Sequence, residues 1–292
     1  MSTVWVILSV LLAGLAAYFA WQAHGLRRVL RQYAGGKIAR LAPGEVSTSS
    51  SGRRTESTIC FTDMRGFTAT AESLSPERVA LLLRLVLSPA LEAIRHNGGE
   101  IDKIQGDSIL YRHQDPEAAL SIIKDVHSVL EKSAKTAAGR LACPVPQFFS
   151  GVHTGQVYLG FVGSTGGFID YTVIGDSVNV AARLQGLAAK YGVPALISGD
   201  TYRASGKPSA FRLLDVVQVK NRLEPIDIYT QPADLGKWLL FEEARALYLS
   251  GHFSQAGPAF KTAGFPLFSA RCSLLAQNPP LQWTSVWSWT NK

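Results

Sequence analysis

The chain has 292 residues, 47% of them hydrophobic, and a formal net charge of +7. That is room for one good-sized globular domain with appendages. Three cysteines, Cys60, Cys143 and Cys272, are odd in number and lack metal-ligand spacing, which fits buried thiols in a reducing compartment and not a disulfide framework.

The first element is an uncharged apolar run of 18 residues, Val4 to Trp21, with Trp5, Tyr18 and Trp21 near its ends. That length sits at the lower edge of what spans a bilayer, and aromatic rings favour the interface. Arg27, Arg28, Arg31, Lys37 and Arg40 follow it, and no charged side chain precedes it. Positive-inside bias therefore predicts a single-pass transmembrane anchor over residues 1–24, in the inner or plasma membrane, with the remainder cytoplasmic. A cleaved signal peptide is the rival reading. Against it, the basic residues come after the apolar run, and no small-residue cleavage site follows Trp21. Residues 25–56 read as a basic juxtamembrane segment, possible helix broken at Gly35-Gly36, and a Ser-rich linker. A basic stretch beside an apolar helix points to anionic membrane lipid as partner, and no segment resembles a nucleic-acid module.

Residues 57–232 carry a mixed α/β pattern. A short strand is expected over Thr58–Thr62, then a helix from Ser75-Pro76-Glu77 toward His96, with Ser as cap and Pro in the first turn. Glu100–Ile104 and Ser108–Arg112 read as strands around a tight turn at Gln105-Gly106-Asp107. Asp115-Pro116-Glu117 opens a second long helix, and Phe148–His153 with Gln156–Val162 read as a strand pair. Strands over Ala195–Ser198, Leu213–Val219 and Ile226–Tyr229 close the domain. Hairpins interspersed with two long helices predict an α+β fold with a ferredoxin-like core. Residues 233–292 form a short helical tail, where Phe241, Ala244, Leu247, Tyr248, Gly251, Ala256 and Phe260 resemble one helix-turn-helix of the tetratricopeptide type. One such unit cannot bury its own face, so it must pack on the domain or on another chain.

Between the strand pair and Ala195 lies Asp170-Tyr171-Thr172-Val173-Ile174-Gly175-Asp176-Ser177-Val178-Asn179-Val180-Ala181-Ala182-Arg183-Leu184, a loop turning into a helix. Asn179 and Arg183 are four apart, so they share one helix face. Arg183 offers a fixed fork of donors suited to phosphate, and Asn179 a neutral donor and acceptor suited to a ribose or a bridging oxygen. Upstream stand Phe61-Thr62-Asp63-Met64-Arg65-Gly66-Phe67-Thr68 and Gly106-Asp107. Asp63 and Asp107 each occupy a strand–turn setting. Two carboxylates converging on one sheet edge make an oxygen site for Mg²⁺, completed by phosphate oxygens and water. The alternative for Asp107 is a plain cap on the Gly106 turn. Arg65-Gly66-Phe67-Thr68 should open a short helix whose free N–H groups suit phosphate, the alternative being an ordinary turn.

These three motifs, in this order, resemble the catalytic domain of the class III nucleotidyl cyclases, of the bacterial adenylate cyclase type, over roughly Ser57 to Thr230. The resemblance implies two Mg²⁺ or Mn²⁺ ions per active site on Asp63, Asp107 and the backbone carbonyl of Met64. One would acidify the attacking hydroxyl and the other neutralise the leaving pyrophosphate. It makes Asn179 and Arg183 catalytic, orienting the ribose and stabilising charge on the α-phosphate. It puts Phe67, Thr68 and Lys220 at the phosphates, and Lys103 and Thr172, four before Asp107 and seven before Asn179, at the purine. A lysine there donates to an adenine ring nitrogen, where guanine would want an acidic residue. The sequence departs from many bacterial relatives in one place. Gly163-Ser164-Thr165-Gly166-Gly167-Phe168-Ile169-Asp170 has no basic residue where an arginine reaches the phosphates. His153 reads as structural, since this chemistry needs no histidine.

The expectation is an adenylate cyclase converting ATP to 3′,5′-cyclic AMP and pyrophosphate. In such enzymes one domain gives the metal aspartates and another the purine-reading pair, Asn and Arg. This chain holds both sets, so the resemblance implies a homodimer with two shared active sites. The rivals are a guanylate cyclase using GTP and a catalytically weak nucleotide-binding signalling module.

Overall fold

The structure, a computed structural model, describes residues 2–33, 52–163, 169–219, 222 and 224–289. The chain divides into two compact units, Met1–Gly52 with Gly160–Thr172, and Arg53–Leu159 with Val173–Lys292.

The first unit contains helix α1 (Ser2–Tyr33). The anchor expected over residues 1–24 is overturned: among the described residues, no helix is long and apolar enough to cross a membrane. Within α1, the stretch Leu11 to Leu26, whose side chains the structure describes, holds Tyr18, Gln22 and His24. It falls short of the about 20 predominantly apolar residues that a span requires. The placement at the inner or plasma membrane, its single-pass orientation and the lipid contact lose their basis with it. Gly35-Gly36 and the Ser-rich linker lie outside the described residues. In the same unit the rings of Phe161 and Tyr171 meet edge to face, centroids 4.9 Å apart.

The second unit opens with strand β1 (Arg53–Arg65), helices α2 (Phe67–Ser73) and α3 (Pro76–His96), strands β2 (Glu100–Gln105) and β3 (Ser108–His113), and helix α4 (Pro116–Leu141). Strands β4 (Gln147–Gly163) and β5 (Ile169–Ile174) follow, reaching across the boundary of the first unit, then α5 (Asp176–Tyr191). Strand β6 (Ala195–Ser198), helix α6 (Gly199–Ala204) and strands β7 (Arg212–Val219) and β8 (Ile226–Thr230) complete the domain. The tail supplies α7 (Leu235–Leu249), α8 (Phe253–Ala263), α9 (Pro266–Gln277) and strand β9 (Val286–Trp289).

Local chemistry explains the boundaries. Asp115 accepts a hydrogen bond from the Glu117 N–H at 2.9 Å, with Pro116 filling the first turn of α4. Ser75 and Pro76 start α3 in the expected place, and Gly192, in the left-handed conformation, ends α5. Sheet neighbours run β2-β3-β1-β4-β6-β8-β7-β9, with β5 on β4. The first four strands are mutually antiparallel, which with α3 and α4 is the ferredoxin-like core expected.

One difference concerns β4. The sequence reading breaks it in two near Thr154-Gly155, yet it is one 17-residue strand. Its register with β1 is continuous from Arg53↔Leu159 to Arg65↔Gln147, and that long ladder outweighs the turn tendency of one glycine. The glycines of β4 serve close approach instead. A Cβ on Gly151 would lie 2.1 Å from the Ala181 carbonyl oxygen, and one on Gly155 would lie 2.6 Å from Ser177 Oγ. Helix α5 therefore rests directly on the backbone of β4.

Two apolar cores flank the sheet. One joins Cys60, Met64, Ile109 and Tyr111 to α3 and α4. The other joins α5, through Val180, Leu184, Leu187 and Tyr191, to β7, β8 and the tail. The tail thus packs on the domain itself, with α9 and β9 beyond the two helices that the sequence suggested.

Candidate active site

Alternation along β1 sends Cys60 and Met64 into the helix-covered core and leaves Asp63, two residues from Phe61, half-buried on the opposite face. Asp107 follows Gly106, which takes the left-handed conformation (φ 62°) that a tight β2–β3 turn requires. Ser108 Oγ donates to Asp63 Oδ1 at 2.5 Å, drawing the turn onto the strand. The Asp107 carboxyl is raised above the usual carboxylate range, first by burial and then by the charge of Asp63. Hydrogen bonds from the backbone N–H groups of Asp107 and Met64 oppose that shift. The two carboxylates therefore meet at one end of strands β1 and β3, where the charge of Asp63 is felt at Asp107.

Such a pair fits a hard divalent cation. Among the described residues, no group of three or more His, Cys, Asp or Glu side chains is placed to hold a metal. Two carboxylates and a carbonyl are the small protein contribution that Mg²⁺ accepts when substrate phosphates and water supply the rest. Met64 is 3% exposed, so only its carbonyl is a candidate. Beyond it α2 opens as expected, with Gly66 left-handed at its cap and no side-chain cap. Phe67 is half-buried against the α3–α4 core, and Thr68 is exposed.

Asn179 and Arg183 lie one turn apart on α5, the first exposed and the second half-buried. Among the described residues, Arg183 Nη1 is buried with no hydrogen-bond acceptor, a state that costs about 1–3 kcal/mol unless another acceptor is supplied. The structure thus brings Asp63 together with Asp107, and Asn179 with Arg183, pair by pair. Lys103 stands on β2 opposite Leu110, half-buried, and Thr172 is buried on β5. The two belong to different compact units. Lys220 and the loop residues 164–168 lie outside the described residues.

Two residues near these pairs, Ser108 and Arg65, were not singled out as site residues from the sequence. Ser108 holds Asp63, and its position directly after Gly106-Asp107 was the available signal. Arg65 Nη1 donates to the Ala189 carbonyl at 3.1 Å, tying the end of β1 to α5. Arg222 Nη1 lies 3.9 Å from Asp176 Oδ2 in the first turn of α5, so a cation sits at that helix start. His153 is 5% exposed, its Nδ1 2.8 Å from Ser198 Oγ, and burial pushes its pKa down to about 4. It sits among Ser198, Thr201, Thr154 and Thr58, a linked set of buried hydroxyls.

The family model for the adenylate and guanylate cyclase catalytic domain matches residues 50–230. The chain therefore belongs to the class III nucleotidyl cyclase family. It is 37% identical over 193 residues to a protein named adenylate cyclase from Anabaena cylindrica, covering 63% of this chain and 38% of that one. It is 32% identical over 182 residues to adenylate cyclase 1 of Rhizobium meliloti, covering 60% and 27%. The chain thus spans less than half the length of these relatives. Among solved structures, the adenylyl cyclase CyaB from P. aeruginosa superposes with a TM-score of 0.57 at 26% identity, covering 63% of this chain and 97% of that one. The guanylyl cyclase Cya2 gives a TM-score of 0.55 at 28% identity, covering 61% and 92%.

Proposed function

We propose that this chain is an adenylate cyclase, which closes ATP to 3′,5′-cyclic AMP and releases pyrophosphate. The observation that supports the reading most is the meeting of Asp63 and Asp107 at one end of their strands, where burial and then the charge of Asp63 raise the Asp107 pKa. Two Mg²⁺ or Mn²⁺ ions, when bound there, would supply acidification of the 3′-hydroxyl and neutralisation of the pyrophosphate. Asp63 and Asp107 would hold them, Ser108 would fix the Asp63 carboxylate, and the Met64 carbonyl would complete the protein's share.

Asn179 would orient the ribose so that its 3′-oxygen lies in line with the leaving group. Arg183 would bring its guanidinium to the charge that grows on the α-phosphate in the transition state. Phe67 and Thr68, at the start of α2, and Lys220 would meet the phosphates, with Arg222 as a second cation nearby. Lys103 and Thr172 would read adenine through its ring nitrogen and exocyclic amine. The carboxylate pair of one chain would face the α5 pair of another, giving a homodimer with two equivalent sites.

The likeness to a guanylyl cyclase structure favours GTP as the second reading. Supplying purified protein with Mn²⁺ and either ATP or GTP separates the two. Cyclic AMP as the dominant product supports the proposal. Cyclic GMP would reassign the substrate, and neither product would leave a nucleotide-binding module without turnover.

A further inference from the structure

We propose that the C-terminal tail sets the position of the helix carrying Asn179 and Arg183, with Arg271 as the positioning residue. The proposal rests on the cyclase reading above, because it concerns how that site is held.

Tyr191 is the last residue of α5, two turns and about 12 Å beyond Arg183. Its hydroxyl donates to Asp215 on β7 and accepts a hydrogen bond from Arg271 Nη2 on α9. Arg271 Nη1 also donates to Asp215 Oδ2 at 2.5 Å. All three are buried, Arg271 at 2% exposure and Asp215 at 3%. The guanidinium lies 4.9 Å from the Phe268 ring centroid, 4.5 Å from that of Trp287 and 5.4 Å from that of Trp289. Trp287 and Trp289 belong to β9, which pairs in parallel with β7. The Lys190 ammonium lies 4.7 Å from the Trp289 centroid, so the last two residues of α5 both meet the tail.

Burying an ion pair is weak evidence for stability, since well-packed apolar residues often do as well. Among the described residues, Arg271 Nε is also left buried with no acceptor. What such a cluster adds is direction. The contacts of Val180, Leu184 and Leu187 with the core are apolar and carry no directional preference. Charge-assisted hydrogen bonds at Tyr191 add direction to the close packing of α5 on β4. At the same helix end, Arg65 from the metal-bearing strand holds the Ala189 carbonyl. A shift of α5 at Tyr191 therefore displaces Arg183 within its own domain, and with it the position from which Arg183 would face the carboxylates of the second chain.

The test compares full-length wild type with Tyr191→Phe, which removes only a hydroxyl, and with the paired apolar replacement Arg271→Met/Asp215→Leu. Steady-state turnover of ATP with Mn²⁺, thermal midpoints and amide hydrogen exchange across residues 176–191 are measured on each. The proposal expects kcat to fall about tenfold to a hundredfold, as misplacement of a transition-state group does, while KM stays within about twofold. Exchange in the C-terminal turns of α5 should quicken in both variants and stay unchanged in α4. Folded variants with wild-type kcat and wild-type exchange would overturn it. So would activity lost only in proportion to folded protein, or unfolding of both variants, because plain structural support would then suffice. A wild type that turns over neither ATP nor GTP sinks the cyclase reading instead, and the exchange measurement still decides whether the tail holds α5.

Discussion

At the scale of single residues, the proposed chemistry concentrates on two carboxylates and one guanidinium. Asp63→Ala or Asp107→Ala should abolish turnover, since either loss leaves one carboxylate to hold what two are needed for. Near-normal rates under Mg²⁺ in either variant would remove the assignment. The base-reading pair makes a separate claim. Lys103→Glu with Thr172→Cys leaves adenine's acceptor without a donor, a cost of about 1–3 kcal/mol, so ATP use should weaken about ten- to a hundredfold. The ratio of turnover efficiencies for ATP and GTP is the measurement, and an unchanged ratio would take the basis from ATP as substrate. The carboxylates were legible because their strand–turn settings and the downstream Asn–Arg pair stand at recognisable positions. Ser108 and Arg65 were not, because a lone serine or arginine beside a motif carries no signal until folding shows what it touches.

Elements were legible where local chemistry and long-range pairing agree. Ser75-Pro76 and Asp115-Pro116 are helix starts in any context, and both helices begin there. Strand β4 was misread because Gly155 looks like punctuation, whereas its missing side chain makes room for Ser177 of α5. The polar residues between β4, β6 and α6 have a measurable consequence. His153 is held near pKa 4 against about 6.5 when unfolded, so between those values the unfolded chain takes up a proton that the folded one refuses. Stability should therefore be full above pH 6.5 and fall as pH drops toward 4, by about 2 kcal/mol at pH 5 from this residue. Denaturant unfolding at pH 7.5 and pH 5 should show a smaller acid loss in His153→Gln than in wild type. Equal losses would mean that the imidazole is not kept neutral by its surroundings. His127, pushed to about 4 by its own burial, supplies the acid loss that remains in the variant.

At the scale of the molecule, the sequence conveyed the ferredoxin-like core and left open whether the tail packs on the domain or on another chain. The apolar positions of α7 and α8 announce a face needing cover, but periodicity does not say what covers it. The cover is α5, β7 and β8, and β9 joins the sheet through a four-residue strand too short to stand out in a Trp- and Pro-rich terminus. The N-terminal run misled for a related reason. Apolar composition and a basic flank describe a stretch of chain, whereas crossing a bilayer needs sufficient length and apolarity in one helix.

The central claim is one site built from two sets of residues on different chains. Asp63→Ala and Arg183→Ala proteins should each be inactive alone. Mixed in equal amounts and allowed to exchange partners, they should form heterodimers in which one site keeps every group and the other loses both. Random pairing then restores about a quarter of wild-type activity. The measurement is cyclic AMP produced by the mixture, with heterodimers verified by differently tagged chains. Recovery near that level is the result expected, and verified heterodimers that make no cyclic AMP would contradict the shared site.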